Sequence, residues 1–197
     1  MLIFLAYAII SASANSLEDT VSGLLEKAND SYQKGDYDAT VKYYDKAIEM
    51  NSSNAEAWYG RGLALENQEN YEEAIESYDK AIEIKPLFVE AWTYKGWNQI
   101  MLGEYEGALR SIDAAMKVSP AESEVWNVRG IYFYYLRQYD AAIKCFSKAT
   151  DLDSKNAEAW HNKGAAMEGL GKKTEADEAY ARAKDKGFNG TSTICPE

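Results

Sequence analysis

The residues that could carry out chemistry are few in this chain. His161 is the only histidine, so the sequence offers no two-histidine metal site and no paired-histidine mechanism. It also contains no Cys-x-x-Cys, glycine-rich phosphate loop, Gly-x-Ser-x-Gly or His-Glu-x-x-His motif. Acidic residues are plentiful, but they recur at regular intervals that are typical of solvated helix faces. We therefore expect a binding protein rather than an enzyme, with no cofactor and no metal.

The two cysteines do not form a recognisable reactive pair. Cys145 stands beside Phe146 in an apolar helical pattern, whereas Cys195 lies close to the C-terminus. If the protein is exported, an oxidising compartment would allow the two thiols to form a disulfide. The alternative is one half-buried helical cysteine and one free cysteine in the tail, and this is the arrangement we expect.

The charge of the chain limits the classes of partner that it can bind. Its 197 residues carry a net charge of −11, with a pI near 4.7. Nucleic acids and anionic membranes both select basic patches, so an acidic surface argues against either partner. The same charge favours neutral or basic protein segments.

A period of 34 residues runs from Val21 to Gly190. The residues that keep this step include Trp58, Trp92, Trp126 and Trp160, each followed four residues later by Gly62, Gly96, Gly130 and Gly164. Apolar or small residues recur at positions 4, 8 and 11 of each repeat and again at positions 20, 24 and 27. Both series follow the i, i+4, i+7 spacing of an amphipathic helix, so each repeat is predicted to hold two helices, A and B. Stacking of such units indicates one elongated array.

The repeat frame also sets the predicted domain boundaries. The five repeats span 21–54, 55–88, 89–122, 123–156 and 157–190, after a lead-in at 15–20 and before a short tail at 191–197. Gly35, Gly103 and Gly171 occupy position 15, where a left-handed turn after helix A favours glycine. Pro86 and Pro120 occupy position 32, where helix B has to end.

The segment Ala57–Pro86 resembles the tetratricopeptide repeat. That family places Trp, Leu, Gly, Tyr, Ala, Phe, Ala and Pro at positions 4, 7, 8, 11, 20, 24, 27 and 32, and AWYGRGLALENQENYEEAIESYDKAIEIKP fits this pattern closely. The resemblance extends over all five repeats. It implies an all-α, right-handed α-solenoid of five 34-residue helix-turn-helix repeats that acts as a scaffold for protein–protein interaction.

One departure from the family pattern is regular. Position 7, which is usually Leu, is basic in every repeat, where it is Lys27, Arg61, Lys95, Arg129 and Lys163. Long basic side chains can lay their stems along a core and lift the charge to water or to a carboxylate. We interpret these residues as structural, and a basic ladder that faces a ligand is the alternative.

The resemblance also implies where a partner would bind, because A helices of this family line a concave face through positions 2, 5, 9, 12 and 13. The candidate groove residues at such positions are Tyr59, Leu63, Trp97, Ile100, Met101, Asn127, Ile131, Tyr134, Tyr135 and His161. Trp97 stands out because the other four tryptophans share the core register. Aromatic and Met anchors suit capture of an apolar or amphipathic segment. The alternative is that these side chains pack against the next A helix.

Acidic residues occupy position 2 of four repeats, as Glu56, Glu90, Glu124 and Glu158. A carboxylate in the first turn complements the helix dipole, which is sufficient to explain them. They could also form an acidic lip that prefers a ligand with basic flanks.

Some members of the family clamp the acidic C-terminal peptide of heat-shock chaperones with basic residues and asparagines. The corresponding positions here hold Leu25, Asn29, Gly60, Glu90 and Tyr94. This set lacks the required positive charge, so we do not expect a chaperone carboxylate-clamp ligand.

The N-terminus resembles a secretory signal. Leu2 to Ile10 is apolar and uncharged, and the following Ser-Ala-Ser-Ala places small residues before a possible cut after Ala14. No basic residue follows Met1, which leaves open a retained membrane anchor or an untargeted lead-in. We expect residues 1–14 to be a signal peptide and the protein to be exported.

Taken together, the patterns predict a protein that binds a peptide segment or a partner protein in the groove, centred on repeats three and four. The alternative is self-assembly, in which the same groove or the repeat-one end packs against another copy. The two differ in one observable, because assembly makes particle size depend on concentration without any ligand.

Overall fold

The computed structural model describes residues 20–190, and the structural statements below refer to this part of the chain. The predicted signal segment 1–14 and Cys195 lie outside it. The first helix, α1, covers 20–33. The remaining helices are α2 (Tyr37–Met50), α3 (Ala55–Asn67), α4 (Tyr71–Ile84), α5 (Val89–Met101), α6 (Tyr105–Val118), α7 (Ser123–Tyr135), α8 (Tyr139–Leu152), α9 (Ala157–Gly169) and α10 (Lys173–Asp185). The prediction of an all-α protein made of helix-turn-helix pairs is confirmed.

Short polar side chains cap the N-termini of several of these helices. The Asp36 carboxylate accepts a hydrogen bond from the backbone N–H of Ala39 at 3.0 Å. Asn54 and Asn156 accept in the same way from residues three positions further on, at 3.0 and 2.8 Å. Each cap satisfies a backbone donor that the first helical turn leaves without an intrahelical partner.

The turn from helix A to helix B requires a left-handed residue at position 15 of every repeat. Gly35, Gly103 and Gly171 adopt φ of 74° there, as their type predicts. Glu69 and Arg137 occupy the same position in repeats two and four, with φ of 60° and 56°. The turn geometry therefore recurs in each repeat even where a side chain makes it less favourable.

The helices form two compact units, of which the first ends at Pro86 and the second begins at Leu87. The first holds α1 to α4, and the second holds α5 to α10. The boundary falls close to the predicted end of repeat two. No linker-like composition marks it, so the repeat pattern alone did not predict the division.

Glycine at position 8 lets helix A approach helix B closely within a repeat. A Cβ added to Gly62 would lie 2.5 Å from the Tyr78 ring, and a Cβ on Gly130 would collide with the Phe146 ring. Tyr78 and Phe146 are completely buried. The Gly–aromatic pair therefore forms the centre of each of these two helix pairs, as the shared spacing of the residues predicts.

Three of the repeated tryptophans tie helix A to the loop before it. The indole N–H of Trp58 donates to the carbonyl of Ser52 at 3.0 Å. Trp126 and Trp160 make the equivalent bond to the residue six positions earlier, at 2.9 and 3.2 Å. This contact fixes how the chain enters each of these A helices.

In the second unit the A helices also pack against one another. The middle one, α7, contacts α5 on one side and α9 on the other. Side chains on both flanks of α7 are consequently enclosed by helices of neighbouring repeats. Among residues 20–190, no helix is long and apolar enough to cross a membrane.

Candidate protein-binding surface

The structure corrects the predicted groove at three positions. Ile100 is 2% exposed, and Ile131 and Asn127 are completely buried. Ile100 and Ile131 belong to the main core cluster of the second unit. These three residues therefore stabilise the unit and do not present a surface to a partner.

A contact between successive A helices explains this burial. The side-chain amide of Asn162 on α9 donates to the Asn127 oxygen on α7 at 3.1 Å, and both residues are fully buried. Position 5 of one A helix thus faces position 6 of the next. For Asn127, Ile100 and Ile131 the alternative interpretation applies, in which the second stripe packs against a neighbouring A helix.

Three other candidates of the second unit keep part of their surface exposed. Trp97, Met101 and Tyr134 are partly buried hydrophobic residues that pack against the core cluster containing Ile100 and Ile131. Their inner edges are therefore held in place while their outer edges remain accessible. This combination suits a preformed contact surface, because little side-chain freedom would be lost on binding.

Tyr135 is the most exposed of the candidate residues on α7. It is 38% exposed, and its ring lies 6.1 Å from the Tyr134 ring at an interplanar angle of 82°. The Tyr134 ring in turn meets Tyr139 of α8 edge-on at 5.4 Å. Burial raises the pKa of Tyr134, so its phenol stays neutral at physiological pH. We call Trp97, Met101, Tyr134 and Tyr135 the aromatic surface.

Two of the predicted candidates belong to the first unit. Tyr59 and Leu63 lie on α3 and are both partly buried. The Tyr59 ring tilts against Tyr78 of α4 at 5.9 Å. Tyr59 therefore helps to cover the core of its own helix pair.

His161 is enclosed by two aromatic rings. Phe188 stacks on it at 4.1 Å with an interplanar angle of 18°, and Tyr180 lies 5.0 Å away. Burial lowers the pKa of His161, so the imidazole is neutral near pH 7. The sequence analysis missed Phe188, although the residue occupies position 32, where two earlier repeats have proline. Position 5 of α9 is thus covered by a residue that follows α10.

The carboxylates at position 2 lie in unlike surroundings. Glu56 is exposed and accepts a hydrogen bond from Lys85 at 3.0 Å, an interaction that lowers the pKa of Glu56. Glu124 at the start of α7 is partly buried, and burial together with the nearby Glu158 carboxylate of α9 raises its pKa to about 7. The dipole explanation alone does not account for this difference, which the sequence pattern did not reveal.

Four of the basic residues at position 7 make contacts within their own unit. In the second unit the charged groups of Lys95, Arg129 and Lys163 lie 5.6, 5.9 and 5.0 Å from the ring centres of Trp92, Trp126 and Trp160. In the first unit Arg61 instead donates to Asp45 at 2.7 Å and to Ser77 at 2.7 Å. These contacts are those of structural residues and place no basic ladder on the aromatic surface.

A cavity of about 440 Å³ lies in the first unit between α2, α3 and α4. Its lining residues are Asp45, Trp58, Arg61, Glu76, Ser77, Asp79, Lys80 and Glu83. Ion pairs join Arg61 to Asp45 between α3 and α2, and Lys80 to Glu83 along α4. Many of the charged side chains that line the cavity are therefore already paired with one another.

The described residues provide little for chemistry. Within residues 20–190, no group of three His, Cys, Asp or Glu side chains is placed to hold a metal ion. Cys145 is a free, buried thiol whose pKa is raised by burial, which disfavours the reactive thiolate.

Comparison with protein-family models agrees with this architecture. A tetratricopeptide repeat model matches residues 25–87, and a second model described as a TPR repeat matches residues 130–171. Together the matches cover more than half of the chain. The chain belongs to the tetratricopeptide repeat family, whose fold is a scaffold for protein interaction. A search of curated proteins found no match.

Solved structures of low sequence identity share the solenoid fold. The thermophilic TPR protein TTC0263 of Thermus thermophilus aligns with a TM-score of 0.79 at 20% identity, covering 86% of this chain and 93% of that one. MamA residues 41-end from Desulfovibrio magneticus RS-1 align with a TM-score of 0.68 at 20% identity, with 88% and 98% coverage. YrrB, described as a TPR protein with an unusual peptide-binding site, gives 0.59 at 22% identity, with 91% and 93% coverage. At these identities the likeness concerns the fold alone.

Proposed function

We propose that this protein binds a peptide segment or a partner protein on the aromatic surface of its second unit. The observation that carries the proposal is Tyr135, a large side chain that remains 38% exposed while its neighbour Tyr134 is anchored on the core. Tyrosine and tryptophan supply large contact areas at little entropic cost, which is why they dominate binding hot spots. YrrB, a protein with a similar fold, has a peptide-binding site, which supports the same role for this array.

The chemistry of the surface defines the class of segment that it would take. Trp97, Met101, Tyr134 and Tyr135 offer apolar area, whereas the whole chain carries a net charge of −11. An apolar or amphipathic segment with neutral or basic flanks meets both conditions, and an acidic segment would be repelled. Binding of this kind requires no cofactor and no catalytic group.

The test is a selection from a random peptide display library on the full chain, followed by affinity measurement. We expect the selected peptides to combine aromatic or aliphatic anchors with Lys or Arg. Tyr135→Ala should weaken their binding at least about tenfold, because an exposed anchor is lost without loss of core packing. Tyr43→Ala provides the control, since Tyr43 is a tyrosine that is partly accessible but lies on α2 of the first unit. Equal loss in both variants, or none in Tyr135→Ala, would place binding elsewhere.

Self-assembly is the second candidate function, and one exposed side chain favours it. Leu87, at the start of the second unit, is 72% exposed and so offers apolar area that a second copy could cover. Sedimentation over a hundredfold range of concentration separates the two functions. A size that grows with concentration in the wild type and not in Leu87→Ser would favour assembly over peptide binding.

We also propose that the protein is exported and that residues 1–14 are removed. The support is the apolar run from Leu2 to Ile10 and the small residues that precede the cut after Ala14. Mass spectrometry of the native protein should then show a chain that starts at Asn15. A mature protein that still contains Met1 would contradict the proposal.

A further inference from the structure

The acceptor triplet of N-linked glycosylation, Asn-x-Ser/Thr, occurs at residues 29–31, 51–53 and 189–191. A triplet of this kind can carry a glycan only where the asparagine remains at the surface of the folded protein, because the glycan is bulky. The last triplet extends beyond the described residues, so the structure distinguishes between the first two. Both asparagines are exposed, but their surroundings differ.

The triplet at 29–31 lies inside α1, and its asparagine takes part in the packing of the first unit. The side-chain oxygen of Asn29 accepts a hydrogen bond from the Tyr44 hydroxyl at 2.7 Å. Tyr44 is 7% exposed and belongs to the core cluster that contains Ala28 and Ile48. The Asn29 amide is therefore held against the core, which does not favour a bulky substituent on it.

The triplet at 51–53 lies in the loop between α2 and α3, and each of its residues is exposed. The backbone N–H of Asn51 donates to the carbonyl of Ala47 at 2.9 Å, where α2 ends. The side-chain oxygen of Asn51 accepts from the backbone N–H of Ser53 at 3.1 Å, so the amide forms a turn within the triplet. This bond uses the amide oxygen and not the nitrogen, which is the atom that carries a glycan.

Contacts other than the Asn51 side chain hold this loop in place. The carbonyl of Ser52 accepts a hydrogen bond from the Trp58 indole at 3.0 Å. Asn54 caps α3 through the backbone N–H of Ala57, also at 3.0 Å. A substituent on the Asn51 nitrogen therefore leaves both of these contacts unchanged.

The equivalent loop at the end of repeat four shows which part of the arrangement is specific. The Asp153 carboxylate accepts from the backbone N–H of Lys155 at 2.9 Å, and the Trp160 indole donates to the carbonyl of Ser154. The turn and the indole bond are thus shared by the two loops and serve the fold. The loop at 51–53 differs in combining an amide with a hydroxyl residue two positions later, and these are the groups that an acceptor site needs.

We propose that Asn51 is an N-glycosylation site of the exported protein. This inference rests on the proposed export, because the glycan donor serves chains that enter or cross a membrane. The Asn51 amide nitrogen attacks the anomeric carbon of an oligosaccharide that is linked to a polyprenyl diphosphate lipid. A carbon–nitrogen bond forms, the bond from that carbon to the diphosphate oxygen breaks, the lipid diphosphate leaves and the amide gives up one proton. The Ser53 hydroxyl is the second group that the transferase requires.

The direct test is peptide mapping of the native protein purified from its own cells. Trypsin cleaves after Lys46 and Arg61, so residues 47–61 form one peptide that contains only this triplet. We expect its fragment spectra to show a series of sugar residues, on a chain that starts at Asn15. An unmodified peptide on a chain that starts at Asn15 would reject glycosylation and leave export standing. An unmodified peptide on a chain that retains Met1 would reject both proposals.

Two serine variants separate this triplet from the one in α1. Ser53→Ala removes the hydroxyl but keeps Asn51 and the backbone N–H to which it is bonded, so the turn should remain. We expect the variant made in the same cells to lose the whole mass of the glycan. Ser31→Ala is the matched control, because it removes the triplet at 29–31 without touching the bond between Asn29 and Tyr44. Loss of the glycan in Ser31→Ala and not in Ser53→Ala would overturn the assignment.

Asn51→Asp guards against loss of the glycan through misfolding. An aspartate at this place forms the same turn in repeat four, where Asp153 bonds to Lys155, but it has no amide nitrogen to carry a sugar. We expect this variant to lose the glycan while its circular dichroism matches that of the enzymatically deglycosylated wild type. A glycan that persists in Asn51→Asp would show that the sugar is attached to another residue and would reject the proposal.

Discussion

The helices α7 and α9 hold equivalent places in consecutive repeats, yet their equivalent residues do different things. At position 5, Asn127 of α7 is buried against Asn162, whereas His161 of α9 is stacked under Phe188. At position 9, Ile131 fills the core on α7, and α9 has only Ala165. The difference follows from neighbours, because α7 has an A helix on each side and α9 packs against α7 and the segment after α10. In a repeat array, surroundings rather than register decide which side chains are accessible.

Among the changes considered, replacement of Ile131 on α7 should lower the stability of the protein most. Ile131→Ala removes a fully buried side chain from the core cluster, so the second unit should lose about 2–5 kcal/mol of stability. Leu63→Ala changes the same repeat position on α3, where the side chain is only partly buried, and should cost clearly less. Urea denaturation of both variants measures this. Equal costs would mean that the burial of α7 has no energetic consequence.

Substitution of Gly130 should have the next largest effect. Gly130→Ala places a methyl group against the Phe146 ring, and overpacking of a tight core typically costs about 1–3 kcal/mol. Gly23→Ala is the control, because nothing lies within 4 Å of the added atom and alanine favours a helix. Thermal unfolding should therefore shift down for Gly130→Ala and up for Gly23→Ala. A downward shift for both would contradict the assigned close approach.

Removal of the Phe188 ring tests whether this residue covers His161 on α9. Phe188→Ala should cost on the order of 1 kcal/mol, since Phe188 is only partly buried. It should also raise the pKa of His161 towards its ordinary value, because burial is what lowers it. As the depressed pKa makes the unfolded state bind more protons, the wild type should lose stability as pH falls through the ordinary histidine range, and the variant less so. The sole histidine gives one NMR titration curve, and an unchanged midpoint would show that Phe188 does not enclose it.

The smallest expected effect concerns the turn at the end of α7. Arg137→Gly should stabilise the protein by up to about 1 kcal/mol, because glycine adopts the φ of 56° without a Cβ penalty. Gly171→Ala, at the equivalent turn after α9, should have the opposite sign. The melting temperatures of the two variants extend the comparison, since the turn after α7 is the less favourable of these two turns.

The parts of the fold that the sequence predicts are those fixed within one repeat. Gly130 and Phe146 recur with the period, so their close approach could be inferred from spacing alone. The helix ends and the turn at position 15 follow from residue types that act locally, such as Asp36 and Gly103.

The candidate site was predicted less well because its accessibility depends on the next repeat. A helical pattern shows that Ile131 and Asn127 lie beside the core stripe, but not that α9 and α5 close over α7. The raised pKa of Glu124 was missed for a similar reason, since the Glu158 carboxylate that contributes to it belongs to the next A helix, 34 residues further along the chain. Phe188 lies where the repeat pattern ends, so the period contained no information about it.

The bond between each indole and the loop before its helix has a spectroscopic consequence. Trp58, Trp126 and Trp160 each donate to a carbonyl six residues earlier, so a similar polar group fixes each ring at the entrance of its repeat. Indole emission depends strongly on such a neighbour. Repeats two, four and five therefore each contain a tryptophan whose emission wavelength should shift when that repeat opens.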